Sequence, residues 1–176
     1  IAMSQKAWDA AEKSNLPKFY LNLKSYRKSL LSNSNPYTPA VNLVFALDEA
    51  LKMMREEGLD NIFLRHNKHK LAMSNAMKAL NLQLFADEKY LSPSITAIKT
   101  EGMDAEEFRK TIKKNFDILL AGGQDHLKGK IFRVGHLGYV NDRDIITVVS
   151  AISNTLLDLG KICLLYTSPS PRDGIG

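Results

Sequence analysis

The chain has 176 residues, of which 44% are hydrophobic, and a formal net charge of +5, which suits one compact domain with a core large enough to fold. No apolar run is long enough to cross a bilayer and the first residues lack a signal-peptide pattern, so we expect no membrane partner and a cytoplasmic protein, with a peroxisomal or mitochondrial location left open. Basic and acidic residues are interspersed, which argues against a nucleic-acid partner, and the single cysteine, Cys163, excludes a disulfide within the chain.

The first part of the chain is predicted to form short helices and a loop. Ser4 is the expected N-cap of the first helix, and a second helix covers residues 22–31. The stretch 32–39 is rich in Ser, Asn and Pro, which is typical of a loop. Thr38 is then expected to cap a third helix that has Pro39 at its first position.

The third and fourth helices are predicted to be long and to have one buried face each. The third ends at Gly58 and repeats apolar residues on one face, namely Val41, Val44, Leu47, Leu51 and Met54. The fourth runs from Asp60 to about Leu80, with three inward residues, Phe63, Met73 and Met77. His66 and His69 are three positions apart on this helix, but no carboxylate or cysteine completes a metal-ligand set, so we expect surface histidines and no metal site.

Residues 82–160 predict a small α+β unit in the order strand, strand, helix, strand, strand, helix. The expected strands cover residues 82–85, 94–99, 118–120 and 130–134. The expected helix caps are a capping box of Asp104 with Glu107, and Asn141 followed by Asp142 and Asp144. This pattern indicates helices on one face of a mostly antiparallel sheet.

Arg133 is the strongest candidate for a functional side chain. The surrounding run, residues 131–134, predicts a short buried strand. A guanidinium in such a strand is costly unless it meets an anion, and Gly135 and Gly138 leave room beside it. Because Arg can donate two parallel hydrogen bonds to a carboxylate, we predict a carboxylate clamp. The alternative at this point is a structural ion pair with an internal Asp or Glu.

The last residues resemble an artefact of sequencing. From Cys163 to Asp173 the string Cys-Leu-Leu-Tyr-Thr-Ser-Pro-Ser-Pro-Arg-Asp is similar to the in-frame translation of a transposase-type adapter. We therefore expect residues 163–176 to be adapter-derived and without function, the alternative being a disordered Ser/Pro tail. Since the chain also opens at Ile1 without a start methionine, we expect a truncated reading frame.

Several collinear segments together resemble the class V pyridoxal-phosphate-dependent aminotransferases, and within them the alanine/serine–glyoxylate (serine–pyruvate) branch. The matching segments are residues 19–24, 36–43, 47–51, 57–61, 65–66, 121–124 and 128–138. The resemblance implies an α/β, aspartate-aminotransferase-like fold and a homodimer. Residues 1–45 would be the end of the large cofactor-binding domain with the inter-subunit phosphate loop, and residues 46–162 the connecting helices and the α+β C-terminal small domain.

The resemblance also implies roles for single residues. Arg133 matches the arginine that pairs with the substrate α-carboxylate, and Thr38 matches the threonine that reaches the cofactor phosphate across the dimer, with Tyr37 as a second candidate for that phosphate. Gly122 and Gly123 match a glycine pair in a loop that faces the active-site mouth. The position of His136 varies between branches; we expect a packed histidine there, the alternative being a residue that lines the site.

The lysine that binds pyridoxal 5′-phosphate is expected upstream of Ile1. In the family this lysine follows a Ser/Gln context and precedes a Pro-Gly turn into a strand. The run Ser4-Gln5-Lys6 imitates only part of this pattern, because Lys6 is followed by an exposed helix. The fragment by itself is therefore expected to be inactive.

The resemblance implies amino-group transfer from alanine or serine to glyoxylate or pyruvate, so the expected partners are amino acids and 2-oxo acids. One alternative is another class V enzyme, such as a lyase or a desulfurase, although a desulfurase needs a catalytic cysteine and the chain has only Cys163. The other alternative is an orphan, non-catalytic small domain. For nucleic-acid binding the predicted strands offer only Phe85 and Phe132, without a basic and aromatic cluster.

Overall fold

The computed structural model describes residues 1–162, and they fall into two compact units, Ile1–Met53 and a second unit that begins at Met54. The adapter-like tail, residues 163–176 with Cys163, lies outside the described residues. Within residues 1–162 no helix is both long and apolar enough to span a bilayer.

The first unit contains helices α1 (Gln5–Lys13), α2 (Leu23–Leu30) and the greater part of α3 (Val41–Glu57). The predicted cap of the first helix is confirmed, since the Ser4 side chain accepts a hydrogen bond from the Ala7 N–H. In the second helix Asn22, expected as a helical residue, is instead the N-cap, and its side chain accepts a hydrogen bond from the Lys24 N–H. The Ser4 cap is a local signal, which is why the sequence is sufficient to find it.

Helix α3 begins later than predicted, so Thr38 is not its cap. The Pro39 carbonyl accepts from the Val41 N–H in a tight turn, and the Ala40 carbonyl accepts the first helical hydrogen bond from the Val44 N–H. Thr38 and Pro39 therefore precede the helix. The predicted burial of its apolar face is also wrong, because the five residues are 41–59% exposed: Val41, Val44, Leu47, Leu51 and Met54.

The second unit holds the remaining elements. They are α4 (Leu59–Ala79), β1 (Ile95–Lys99), α5 (Ala105–Phe116), β2 (Ala121–Gly122), β3 (Ile131–Gly135) and α6 (Asp142–Asp158). The sheet has the order β1-β3-β2 and both pairings are antiparallel. The predicted strand at 82–85 is reduced to a single bridge between Leu84 and Ile98, and the one predicted at 118–120 lies further along the chain, as β2.

Helices α4, α5 and α6 cover one face of the sheet, as predicted. Ile98, Phe132 and Val134 point from the strands into the core, where Phe132 packs on Phe108 with ring centroids 5.1 Å apart. Met73 and Met77 of α4 are fully buried there, as expected, but Phe63 is 60% exposed. Phe63 lies near the beginning of α4, and the buried part of that helix starts after it.

The caps of the second unit agree with the sequence except at one residue. Asn141 and Asp144 form a capping box at the start of α6. Asp104 caps α5 as expected, but its side chain accepts from the Glu106 N–H rather than from the third residue of the helix, and Glu107 does not complete a box in the described structure.

Candidate carboxylate-binding site

Arg133 lies on the sheet face that the helices leave uncovered. Its strand neighbours Phe132 and Val134 point into the core, so the alternation of a strand directs Arg133 to the opposite face. The residues opposite it in register, Ala97 on β1 and Ala121 on β2, are both small. The predicted short buried strand is confirmed, and the residues opposite Arg133 on both neighbouring strands are alanines.

One nitrogen of the Arg133 guanidinium is fixed and the others are available. Its Nε donates to the Gly122 carbonyl at 2.9 Å. Within residues 1–162 no carboxylate forms a salt bridge with Arg133, and its two terminal nitrogens have no hydrogen-bond acceptor. The structural ion pair that the sequence left open is therefore not found among the described residues. A fixed Nε with two free terminal nitrogens suits a carboxylate.

Two glycines that follow Arg133 have uncrowded Cβ positions, as the sequence predicts. A Cβ atom added to Gly135 or to Gly138 would meet no atom of residues 1–162 within 4 Å. Gly138 also has a φ of +85°, a conformation that favours glycine. No described side chain therefore occupies the Cβ positions of these two glycines.

Both glycines of the pair 122–123 are closely packed, Gly122 against the ends of two side chains and Gly123 against backbone. A Cβ on Gly122 would lie 2.5 Å from Arg109 Nη1 and from Glu106 Oε1, and one on Gly123 would overlap the Leu127 carbonyl oxygen. Gly122 also has a direct contact with the candidate site, through the carbonyl that accepts from Arg133. A role of the pair in an active-site loop stays a prediction.

Sequence reasoning missed an ion pair on α5 that contacts the backbone just before β2. Arg109 Nη1 donates to both carboxylate oxygens of Glu106, at 2.8 and 2.9 Å, and its Nε donates to the Leu120 carbonyl at 2.7 Å. The only sequence signal is a Glu and an Arg three positions apart on a helix, which is common on helix surfaces.

A second Arg–Glu pair holds the loop that follows Arg133. Arg65 binds both Glu57 oxygens, at 2.5 and 2.8 Å, and its Nη1 donates to the carbonyls of Gly138 and Val140 at 2.9 and 2.8 Å. The hydrogen bond from Arg65 lowers the pKa of the Glu57 carboxyl, so the pair stays ionised. The loop is therefore anchored to α4.

Three histidines are buried near this loop. His66 and His69 are 9% and 1% exposed, so the expectation of surface histidines is wrong. The Gly138 N–H donates to His66 Nε2, and His69 Nε2 lies 3.0 Å from Asp142 Oδ1. His136 is fully buried, which confirms the packed histidine.

The ring of His136 is held in its neutral form by its surroundings. Its Nδ1–H donates to the Pro93 carbonyl at 3.1 Å, and Nε2 accepts from the Thr96 hydroxyl at 2.9 Å. Burial lowers the pKa of His136 below its usual 6.5, and the nearby His69 and His66 lower it further. The charged form is therefore disfavoured in the folded protein.

The lowered pKa of His136 predicts a loss of stability in weak acid. Below about pH 6.5 the His136 side chain is protonated in the unfolded chain but stays neutral in the folded one. The free energy of unfolding should therefore fall as the pH falls from 6.5 toward the lowered pKa of His136 in the folded protein. Urea unfolding between pH 5 and pH 7 measures this slope. His136→Gln should flatten it, whereas His126→Gln, at an exposed position, should leave it unchanged. An NMR titration of the His136 ring with a midpoint at or above 6.5 would contradict this prediction.

Thr38 and Tyr37 lie in the first unit and differ in what their hydroxyls do. The Tyr37 hydroxyl donates to the Phe19 carbonyl at 3.3 Å, and its ring packs on Tyr20 with centroids 4.8 Å apart. Thr38 is exposed, and no described residue forms a hydrogen bond with its hydroxyl. The backbone N–H groups of Ala40 and Asn42, at the start of α3, likewise have no acceptor within residues 1–162.

The structure places the predicted residues in two groups. Arg133, Gly122 and Gly123 come together in the second unit, and Thr38 and Tyr37 are adjacent in the first. Lys6 is exposed on α1, as expected from the sequence.

Comparison with known proteins relates the chain to aminotransferases. No protein-family model matches the chain. A protein named soluble hydrogenase, small subunit, from Synechococcus sp. is 52% identical over 175 residues, which are 99% of this chain and 44% of that protein. An uncharacterized aminotransferase of Methanocaldococcus jannaschii is 37% identical, and a serine–glyoxylate aminotransferase of Methylorubrum extorquens is 32% identical, each over 91% of this chain and 42% of the relative.

Solved structures give the same result for the fold. The crystal structure of a ureidoglycine–glyoxylate aminotransferase from Bacillus subtilis matches with a TM-score of 0.80 and 29% identity, over 88% of this chain and 41% of that one. The chain therefore has the aspartate-aminotransferase-like fold of the pyridoxal-phosphate-dependent transferases, and the predicted fold class is confirmed. It spans less than half the length of the curated relatives it matches.

Proposed function

We propose that this chain is the C-terminal part of a class V, pyridoxal-phosphate-dependent aminotransferase in which Arg133 binds the α-carboxylate of the substrate. One observation carries the proposal: Arg133 is fixed through Nε to Gly122, while its terminal nitrogens have no partner in residues 1–162, and the Cβ positions of the following Gly135 and Gly138 are clear of described atoms. The aminotransferases among its relatives support the reaction type.

The proposed reaction moves an amino group from alanine or serine to glyoxylate or pyruvate. An amino acid and its 2-oxo acid share the carboxylate as a fixed charged group, so one arginine can hold both. Binding that group at two points fixes the orientation of the substrate Cα, which is where proton transfer takes place. The serine–glyoxylate and ureidoglycine–glyoxylate enzymes among the relatives support this class of substrates.

The residues of the first unit fit the phosphate of the proposed cofactor. Thr38 offers a free hydroxyl, and the Ala40 and Asn42 N–H groups are free donors at the start of α3, where the helix favours an anion. We assign the phosphate contact to Thr38 ahead of Tyr37, whose hydroxyl proton is already donated to Phe19. When bound, pyridoxal 5′-phosphate supplies an electron sink beside the substrate Cα.

The proposed enzyme is a homodimer, and its cofactor lysine lies upstream of Ile1. Residues 1–45 are then the end of the large domain, with the loop whose Thr38 reaches the phosphate of the other subunit, and residues 46–162 form the connecting helices and the small domain. Lys6 is exposed on α1 and does not serve as the cofactor lysine. The 176-residue chain by itself is therefore inactive.

The test is an activity assay of the complete protein from its natural reading frame. With pyridoxal 5′-phosphate it should transfer the amino group of alanine or serine to glyoxylate or pyruvate. The variant Lys6→Ala should retain that activity. Loss of activity in Lys6→Ala, with folding intact, would overturn the assignment of the cofactor lysine. Cysteine desulfuration, a lyase reaction or hydrogen uptake without transamination would overturn the proposed function.

A further inference from the structure

The Arg133 guanidinium is oriented by a strand that has little support of its own. Strand β2 is an edge strand of two residues, Ala121 and Gly122, and it pairs only with β3 in the described sheet. Beyond it, the Gly123 N–H donates to the Ile131 carbonyl at 3.2 Å. So short a ladder fixes a carbonyl weakly, and the position of the Gly122 oxygen depends on what else holds this segment.

The second support comes from the side chains of α5. Arg109 donates from Nε to the Leu120 carbonyl at 2.7 Å, two residues before Gly122, and Glu106 holds the same guanidinium at 2.8 and 2.9 Å. The planar fork of an arginine that is bound at both ends has one orientation only. The Glu106–Arg109 pair thus fixes the backbone that leads into Gly122.

Gly122 is also in direct contact with this pair. Its missing Cβ would lie 2.5 Å from Arg109 Nη1 and from Glu106 Oε1. Backbone and ion pair are therefore packed against each other without space between them. The Gly122 carbonyl, held in this way, accepts from Arg133 Nε at 2.9 Å, and the contacts are continuous from α5 to Arg133.

We propose that Glu106 and Arg109 are positioning residues for Arg133: they fix the Gly122 carbonyl, which holds Nε and directs the two terminal nitrogens toward the carboxylate. The positioning of Arg133 is a property of the fold, and its use in substrate binding rests on the function proposed above. Neither Glu106 nor Arg109 touches the substrate in this account.

The chain offers a matched control for this proposal. Glu57 and Arg65 form a second pair with side-chain exposures of 31% and 23%, against 30% and 23% for Glu106 and Arg109. Arg65 also donates to backbone carbonyls, but they belong to the loop after β3 and not to β2. Glu57→Gln therefore removes a comparable interaction without touching the support of Gly122.

The test compares Glu106→Gln and Arg109→Lys with Glu57→Gln in the complete protein labelled with [15N]arginine. Hydrogen exchange of the Arg133 Nε–H should be faster by about tenfold in the first two variants, because its hydrogen bond to Gly122 is weakened, and unchanged in Glu57→Gln. The KM for the amino acid should rise in the same two variants. Should Arg109→Lys not fold, Glu106→Gln decides the outcome alone.

The exchange measurement separates this proposal from the proposed function. Faster Arg133 exchange without any transaminase activity in the unchanged protein would support the positioning and reject the function. Arg133 exchange that is equal in Glu106→Gln and Glu57→Gln, at comparable melting temperatures, would show that the pair contributes to stability only, and the proposal would be wrong.

Discussion

Gly123→Ala is expected to destabilise the second unit by about 3 kcal/mol or more, the upper part of the range for overpacked cores. The new methyl group would overlap the carbonyl group of Leu127, which is backbone and cannot rotate away, and would lie 3.0 Å from Ile131 Cγ1. Because Gly123 connects β2 to the turn at 125–127, either this turn or the strand must shift. The free energy of unfolding in urea measures the loss.

Gly135→Ala is the matched control for that substitution. Its Cβ would meet no atom of the described part of the chain within 4 Å, and its φ is not in the left-handed region, so the change in unfolding free energy should stay within about 0.5 kcal/mol. Equal stabilities of the two variants would contradict the described packing of β2, and with it the support that places the Gly122 carbonyl.

Arg133→Lys in the complete protein should lower kcat/KM for the amino acid by about a hundredfold, which corresponds to roughly 3 kcal/mol. A lysine can form neither the two parallel hydrogen bonds to the carboxylate nor the Nε bond to Gly122. The free energy of unfolding should change by much less than this, because no described carboxylate pairs with Arg133. Removal of the guanidinium therefore leaves no buried partner charge without compensation.

The control for this substitution is Arg143→Lys, at an exposed position near the start of α6. It should leave kcat/KM within about twofold of the original value, as expected of a surface change. If Arg133→Lys also leaves kcat/KM unchanged for every amino acid tried, Arg133 does not bind the carboxylate.

The sequence predicts best those parts of the fold that depend on neighbours along the chain. The caps Ser4 and Asn141 are found because the side chain and the N–H groups it binds lie within three residues. The sequence-based prediction places strand β2 too early in the chain, at 118–120, because the position of this strand depends on distant partners, the Arg109 side chain and β3. So short a strand has no alternation of its own.

The buried histidines show the same limit. His66 and His69 are on a helix whose local pattern is compatible with a solvated face. Their partners, Gly138 and Asp142, lie 72 and 73 residues further along the chain. Likewise, the sequence shows the apolar face of α3, but this face is exposed in the described residues. Periodicity identifies the face that can be buried and does not show what covers it.

The candidate site is predictable in part for a similar reason. Arg133 is detectable because a charged residue in an apolar strand with glycines after it breaks the local pattern. Glu106 and Arg109 break no pattern, since such pairs are common on helices. Their relation to Arg133 exists only after β2 is placed between α5 and β3.

The most direct test of the carboxylate clamp compares alanine with ethylamine, which differs from alanine only in lacking the carboxylate, in the complete protein and in Arg133→Gln. If Arg133 binds that group, the preference for alanine in kcat/KM should fall by about a hundredfold in the variant, because one charge-assisted, bidentate interaction is removed. The rate with ethylamine should change little. A preference for alanine that is the same in both proteins would contradict the central role assigned to Arg133.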